Sequence, residues 1–575
     1  VFPASVCIIA SITSFAVSAC VFLQTRHRSI SGKLGISATA ALGALAILLI
    51  ALSALPLPGR LDAACGRARY EQNEMVRNAL SEAVQVNLIS NDECNFALTR
   101  NRAGTLRILL LAILMFNCAF LASALSPAAK SAFLSFLAVF AGILSILGYL
   151  HQWVFPAEKT LWWIFTFPHG SPVGCFVNRT HYGGFIAMLL PAPFALYLVN
   201  ISRRRFFTAI LWSACTLICA FAVLSSLSRG ALISAAAGVL ITVVYRSAQR
   251  KTINAIAGTI LLVVTATALL TIVAPALPDN TRDSILSRIE TLQTPADTFS
   301  GKARLSVWKD TMKLWKDYPV LGVGPNGFRM MFPRYRTRTD RQSFVSAENE
   351  YLELLADTGL VGAVIFVLIV LTAVYAWRIN SAQERTPPVI PLAAAGSITV
   401  AAAHNFVDTP MHTPLYAMVF ASIAGLGLSA SSGIRPRLRM PVRPAVFLPA
   451  VTGLLIAISS LMYGTQAYRR DLFDSMMTMD SQKSATSLVW APTSWVSWCY
   501  FGMSAFYGNS PRSYILGEKC IATAADYNPG NYQVWETLGH SRAAMGDIKG
   551  ARAAFDKMNE LRSWKRIPDL KNVRY

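Results

Sequence analysis

The sequence predicts an all-α polytopic membrane protein, with about twelve transmembrane helices, a large outer loop and a C-terminal helical-repeat domain. Three observations carry that prediction. Of 575 residues, 54% are hydrophobic and only 14% charged, where a soluble chain carries roughly a quarter charged residues, and the mean hydropathy is +0.44. Apolar runs recur at the length of roughly 17–25 residues that crosses a bilayer. Lipid satisfies no open backbone groups, so those runs have to be helical.

The runs lie near 3–23, 34–56, 105–125, 130–150, 180–200, 206–226, 230–246, 253–276, 358–377, 388–406, 413–431 and 444–465. Basic stretches fall at alternate connections: "QTRHRSISGK" (24–33), "SRRR" (202–205), "YRSAQRKT" (245–252), "RINSAQER" (378–385) and "GIRPRLRMPVRP" (433–444). Lys130 agrees in the short 126–130 connection. Short basic loops mark the cytoplasmic side, and all six take that side together. The segments 57–104, 151–179, 227–229, 277–357, 407–412 and everything from 466 are then expected on the outer side, together with the N-terminus. The chain divides into spans one to eight (1–276), the large outer loop (277–357), spans nine to twelve (358–465) and the tail (466–575). The opening apolar run is too poorly flanked for a cleaved signal peptide.

The net charge of +22 would point to nucleic acid in a soluble chain. Here it is divided between the orientation signal and loops in which Arg outnumbers Lys, and no nucleic-acid partner is expected. Arginine forks suit phosphates, which points to membrane lipids and an anionic lipid-linked substrate. The ten cysteines form no metal-ligand pattern, and no metal or other cofactor is expected. Cys7, Cys118, Cys215 and Cys219 lie in apolar runs as packing residues. Cys65 with Cys94, and Cys499 with Cys520, lie in segments where disulfides can form.

The outer loop reads as follows. From Leu305 to Trp315, apolar residues recur at 305, 308, 312 and 315, an amphipathic helix able to lie on a bilayer surface. "GVGPNGF" lacks the preceding strand and following Lys-Ser/Thr of a phosphate loop, and is expected to be a tight turn after Pro319. In the tail, "WCYFG" (498–502) and "WETLG" (535–539) are 37 residues apart, and the second runs on as "HSRAAMGDIKGARAAF". This resembles a tetratricopeptide repeat. The first copy is degenerate, with Asn528-Pro529 closing it. Two copies are too few to stand alone, so they are expected to pack on the membrane domain or on a partner.

"CFVNRTHYGGFIAMLLP" (175–191), "SLSRGALISAAAG" (226–238), "ARLSVWKDTMKLWKDYPVLGVGPNGF" (303–328), "AENEYLELLADTGLVG" (347–362) and "AHNFVDTPMHTP" (403–414) occur in this order. Together they resemble the O-antigen ligase and polysaccharide polymerase family of bacterial inner membranes, over roughly 170–430. The resemblance implies a metal-independent, inverting glycosyltransferase working on the periplasmic face. Its donor would be a glycan on undecaprenyl pyrophosphate, and its acceptor a hydroxyl of a glycan, lipid or protein. Fixed arginines can stabilise a leaving pyrophosphate without a metal, and the acceptor hydroxyl needs a base.

Candidate residues follow from both lines. Arg229 lies at an outer boundary between two spans, where a charge is costly without a role unless it snorkels. Arg304 opens the amphipathic segment, and its family counterpart is implicated in donor binding. Arg179 either binds substrate or anchors a helix end. His181, and His404 with Asp408, either shape the cavity or act in it. Asn349 and Tyr351 belong to the family's "A-H-N-x-Y-L" string and are candidate substrate contacts. At the second position of that string, where relatives carry the candidate base His, this chain has Glu348. On a helical projection Glu350, Glu353 and Asp357 cluster within about 60° as a solvated face. Glu348 then falls on the apolar side, as a base or as a first-turn acid favoured by the helix dipole. Two other readings stand beside a transferase: a lipid-linked oligosaccharide transporter or flippase, and a non-catalytic assembly scaffold.

Overall fold

The computed structural model describes residues 31–56, 67–90, 96–125, 127–154, 160–161, 165–166, 173–174, 176–248, 259–260, 299–337, 344–381, 388–429, 479–506, 508 and 510–563. Within them the chain is helical apart from a short antiparallel pair, β1 (Thr160–Leu161) and β2 (Phe165–Thr166). Nine of the twelve expected spans fall there, and a helix covers each. They are α1 (Ser31–Ala54), α3 (Arg102–Ala124), α4 (Pro127–Tyr149), the pair α5 (Arg179–Leu189) and α6 (Pro191–Ser202), α7 (Phe206–Ser225), α8 (Arg229–Arg246), α11 (Glu350–Ser381), α12 (Val389–His404) and α13 (Pro414–Ser429). Six are long and apolar enough to cross a bilayer, and the apolar parts of α1, α12 and α13 are shorter. The protein is a multi-pass membrane protein. The expected spans near 3–23, 253–276 and 444–465 lie outside the described residues.

The 180–200 span is two helices rather than one. Pro191 brings no N–H to the ladder, and it opens α6 at the first-turn position where that loss is tolerated. This broken span is the axis of the bundle. It is 89% buried, against 17% for α11, so α5–α6 meets protein on all sides while α11 turns a broad apolar face outward. Tyr182, Phe185, Ile186 and Leu189 of α5 pack with Val223, Val400 and Tyr416, which draws α7, α12 and α13 around the axis.

The large loop is built on α9 (Phe299–Asp317) and α10 (Phe328–Tyr335). Ala303, Val307, Asp310, Thr311 and Leu314 form the buried face of α9. Val307 and Leu314 join Val323, Phe328, Phe332, Ala347 and Ala356 in one apolar cluster. Between the two helices the glycine-rich stretch is the tight turn expected. Gly322 and Gly324 take φ of +61° and +95°, a left-handed region that a Cβ disfavours. The turn lies against a break in α11 at Gly359, whose φ is +62°. There the Val323 N–H donates to Ala356 O (2.9 Å), Gly324 N–H to Asp357 O (2.8 Å) and Leu360 N–H to Pro319 O (2.9 Å). The Asp357 carboxylate accepts from Asn326 N–H (2.5 Å) and Phe328 N–H (2.8 Å). From the opposite side Asn101 and Thr105, at the start of α3, hold the carbonyls of Asn326 and Pro325.

The tail is a run of paired helices: α14 (Ser481–Trp490), α15 (Trp495–Ala505), α16 (Pro511–Tyr527), α17 (Tyr532–Ala544) and α18 (Ile548–Ser563). Its 37-residue spacing is visible in the hydrogen bonds. Trp498 Nε1 donates to Pro492 O (2.8 Å) and Trp535 Nε1 to Pro529 O (2.9 Å). Ser494 and Asn531 cap the helices that follow. The tail does not stand alone. Leu80 of α2 (Arg67–Gln85) and Phe96 share one core with Trp498, Phe501, Leu516 and Tyr527. Arg334 of α10 lies 5.4 Å from the centre of the Tyr527 ring. Cys499 and Cys520 are buried free thiols, not a disulfide; Cys65 and Cys94 lie outside the described residues.

Candidate active site

The N-terminus of α11 was expected to carry a wet carboxylate face, and the structure overturns this. Glu353 and Asp357 are 3% and 6% exposed, because this part of α11 is roofed by the loop and by the α12–α13 connection. Each acid has a partner there. Asp357 ties down the glycine turn, and Glu353 Oε2 accepts from Ala347 N–H (2.8 Å). Glu350 Oε1 and Glu353 Oε1 each lie 3.5 Å from His412 Nε2. Burial alone would lower the His412 pKa, but these two carboxylates raise it to about 10. His412 is therefore the cation set between the two acids.

Glu348 is not on the helix at all. α11 begins at Glu350, and Glu348 takes φ of +53°, a left-handed conformation costing a non-glycine residue about 1 kcal/mol or more. Its neighbours fix it there. Ala347 is held by Glu353, and Asn349 Oδ1 caps α11 by accepting from Tyr351 N–H (3.0 Å) and Leu352 N–H (3.1 Å). Glu350 N–H donates to Asn405 O (2.9 Å). With both sides pinned, the Glu348 side chain projects from the turn towards α9. Its Oε2 lies 3.5 Å from Arg304 Nη2, with the two side chains 30% and 27% exposed. Burial, then the nearby Asp408 charge, push the Glu348 carboxyl above the usual range, opposed by Arg304 and His181.

Asp408 is the centre of a second group. Its carboxylate is 3% exposed and lies 3.1 Å from His181 Nε2 and 3.4 Å from His404 Nε2. Thr409 N–H also donates to it (2.8 Å). Burial would raise its pKa, but the hydrogen bonds and charges of the two histidines hold it well below the usual carboxylate range. Thr413 Oγ1 stands 3.5 Å from the other ring nitrogen of His181, so both nitrogens of that imidazole are spoken for.

The His404 ring occupies the space a Cβ on Gly184 would fill, its Nε2 lying directly against that position. Gly184→Ala is expected to push the ring off Asp408. It should lower thermal stability by about 1–3 kcal/mol, the usual cost of overpacking. Gly43→Ala is the control, because its Cβ would meet Phe116 at an ordinary 3.6 Å. Equal unfolding midpoints for the two variants in nanodiscs would contradict the packing described.

Arg229 opens α8, whose cap is the Ser228 hydroxyl accepting from Ala231 N–H (3.3 Å). The next residue, Gly230, lies against Val407 and the His404 ring, which sets the N-terminus of α8, where Arg229 stands, beside that group. Arg179 opens α5 two residues before His181. The structure thus joins Glu348 with Arg304, and His181 with Asp408 and His404, and sets Arg229 and Arg179 at the helix ends beside them. It gives the other two candidates supporting contacts. Asn349 is the cap of α11, and Tyr351 donates to Ala402 O (2.8 Å) with its ring 4.6 Å from that of Phe406. His412 was missed in the sequence. The signal for it was a histidine that had to meet acids at positions 350 and 353, which only the folded connection brings near.

The family model described as O-antigen ligase matches residues 214–367. That stretch runs from α7 into α11 and contains Arg229, Arg304 and Glu348. A search of curated proteins finds no match. Residues 214–367 of this membrane protein therefore carry an O-antigen ligase domain, the domain of an enzyme family whose activity is glycosyl transfer of the ligase and polymerase type.

Proposed function

We propose that the chain transfers a glycan from undecaprenyl pyrophosphate to an acceptor hydroxyl on the periplasmic face, inverting the anomeric carbon and using no metal. The observation that carries this reading is the pairing of the Glu348 carboxyl, raised by its surroundings, with the Arg304 guanidinium at 3.5 Å. The carboxylate takes the acceptor proton as the acceptor oxygen attacks the anomeric carbon. The glycosyl–oxygen bond breaks on the opposite face, and the electron pair leaves with the pyrophosphate. Arg304 and Arg229 supply positive charge where that negative charge develops. Arg179 and His181 contribute to substrate binding, and Asp408 with His404 hold His181 in place. Asn349 and Tyr351 serve the site by shaping the start of α11. The periplasmic orientation is supported by contacts among segments expected outside: Arg69 reaches Gly322 O, His412 reaches Glu350 and Glu353, and Arg334 lies over the Tyr527 ring. The paired tail helices, as tetratricopeptide-like repeats, fit a role in docking polysaccharide-assembly proteins.

The reading is tested with the purified chain in nanodiscs and a lipid-linked glycan donor, with chelator present. Formation of the glycan product and free undecaprenyl pyrophosphate is expected. Transfer that stops on chelation and returns with a divalent ion would overturn the metal-independent mechanism. Deleting the gene then separates the two acceptor classes. Loss of long polymer with accumulation of single lipid-linked units marks a polymerase, and intact polymer retained on the carrier marks a ligase.

A further inference from the structure

One element of the site region carries a pattern that glycosyl transfer does not use. On α9, opposite its buried face, Leu305, Trp308, Met312 and Trp315 fall within about 80° of the helix circumference, and Lys302, Lys309, Lys313 and Lys316 fill the adjacent 60° or so. All four lysines are exposed, and Leu305 is 44% exposed. The nearest carboxylates on the helix lie off this stripe. Asp310 is buried and accepts from Lys313 (2.8 Å), and Asp317 accepts from the Tyr335 hydroxyl (2.6 Å).

The turn after α9 continues the apolar stripe. Val320 is 56% and Leu321 39% exposed, and Trp315 Nε1 donates to Pro319 O (3.3 Å). Backbone hydrogen bonds fix this turn to α11 where its outward apolar face begins: Leu360 N–H to Pro319 O and Val361 N–H (3.2 Å) to Val320 O. Leu360, Val364, Val367 and Leu371 beside and beyond it are between 50% and 58% exposed on a membrane-spanning helix. The exposed valine and leucine of the turn are therefore level with, and continuous with, a surface that faces lipid.

An apolar stripe of exposed Leu305, Val320 and Leu321 with half-buried Trp308, Met312 and Trp315, flanked by lysines and ending against a membrane span, has the chemistry of a helix seated at the headgroup boundary. From it we infer that α9 and the Pro319–Leu321 turn form a membrane-surface anchor, with Val320 and Leu321 in the acyl region and Lys302, Lys309 and Lys316 against anionic lipid phosphates. A peripheral partner protein is the other class such a stripe suits, but its continuity with α11 favours the bilayer. The anchor fixes the height of α9 above the membrane, and α9 carries Arg304 on its first turns. The inference does not depend on the reaction assigned to that arginine.

The test uses the full chain in nanodiscs, with a fluorescent amino acid at position 320 in one protein and at position 548 in another. Ile548 is 70% exposed, at the far turn of the tail. Lipids with a nitroxide high on the acyl chain should quench position 320 at least about twofold more than position 548. Adding phosphatidylglycerol to phosphatidylcholine should deepen that quenching, and replacing Lys302, Lys309 and Lys316 by Gln should abolish the phosphatidylglycerol effect. Equal quenching at the two positions overturns the anchor. Strong quenching at 320 that ignores lipid charge in both proteins overturns the lysine contacts and leaves an apolar wedge alone. The two labels need no loss of a native charge, so folding is not at stake in the first comparison.

Discussion

Arg304→Ala should abolish glycan transfer while the protein still inserts and retains its unfolding midpoint, with turnover reduced by about 10²–10³-fold or more, as for loss of one preorganised charge donor. Arg304 is only partly covered, at 27% exposed, and projects from a helix whose other face is locked into the loop core. Truncation therefore removes the charge without opening that core. Stability should even be little affected, because its partner Glu348 can take up a proton instead of being left as a buried charge. Arg304→Lys should recover only a minor part of the activity, since an ammonium does not bridge two phosphate oxygens as a guanidinium fork does. Lys302→Ala, two residues away on another side of the helix and exposed, is the control and should keep wild-type turnover in zwitterionic lipid. Arg229→Ala is expected to behave as Arg304→Ala. Wild-type transfer by both arginine variants would sink the assignment of the site.

The parts of this architecture legible in the sequence were those written in local composition. Apolar length marked nine spans that helices do cover, and the tail spacing reappears as two tryptophan–proline hydrogen bonds 37 residues apart. The glycine turn was also readable, since Gly322 and Gly324 stand where left-handed backbone is needed. What failed was the assignment of faces around Glu350, Glu353 and Asp357. Helical periodicity says which residues share a side, but not which side the rest of the chain will cover. Here residues 405–412 and 322–328 close over that side, and the acids find His412 and the Asn326 and Phe328 amides there. Glu348 was placed on a helix by carrying the helical projection of its neighbours back through Asn349. Its φ of +53° could not be read from them, since an Asx cap at Asn349 and long-range hydrogen bonds impose it. The Asp408 group was legible as residues but not as a unit, because His181 and Asp408 are 227 positions apart.

Glu348→Gln is the sharper test of base catalysis, and stability should move opposite to activity. If the carboxylate takes the acceptor proton, the amide cannot, and turnover should fall by about 10²–10⁴-fold; full turnover in the Gln variant would exclude the role. Glu348→His should restore part of the rate, because an imidazole at that position can also accept a proton. The pH profile carries the same information without loss of the residue. Burial and the Asp408 charge raise the Glu348 pKa, so the active carboxylate form is lost at a higher pH than for an ordinary glutamate, and the wild-type rate falls early as pH drops. Asp408→Asn removes one of the raising charges, so in that variant the acid limb should move to lower pH. For stability, a carboxyl with a raised folded-state pKa binds more protons folded than unfolded across the interval between the two values. Stability then declines as pH rises through that interval. Gln does not titrate, so Glu348→Gln should lack this decline and have the higher unfolding midpoint at neutral pH. Glu348→Gly should gain further by relieving the left-handed backbone. A purely structural carboxylate would give the reverse. Its replacement would weaken the fold, cut the rate only in proportion to the protein lost, and leave the acid limb of the surviving activity where it was.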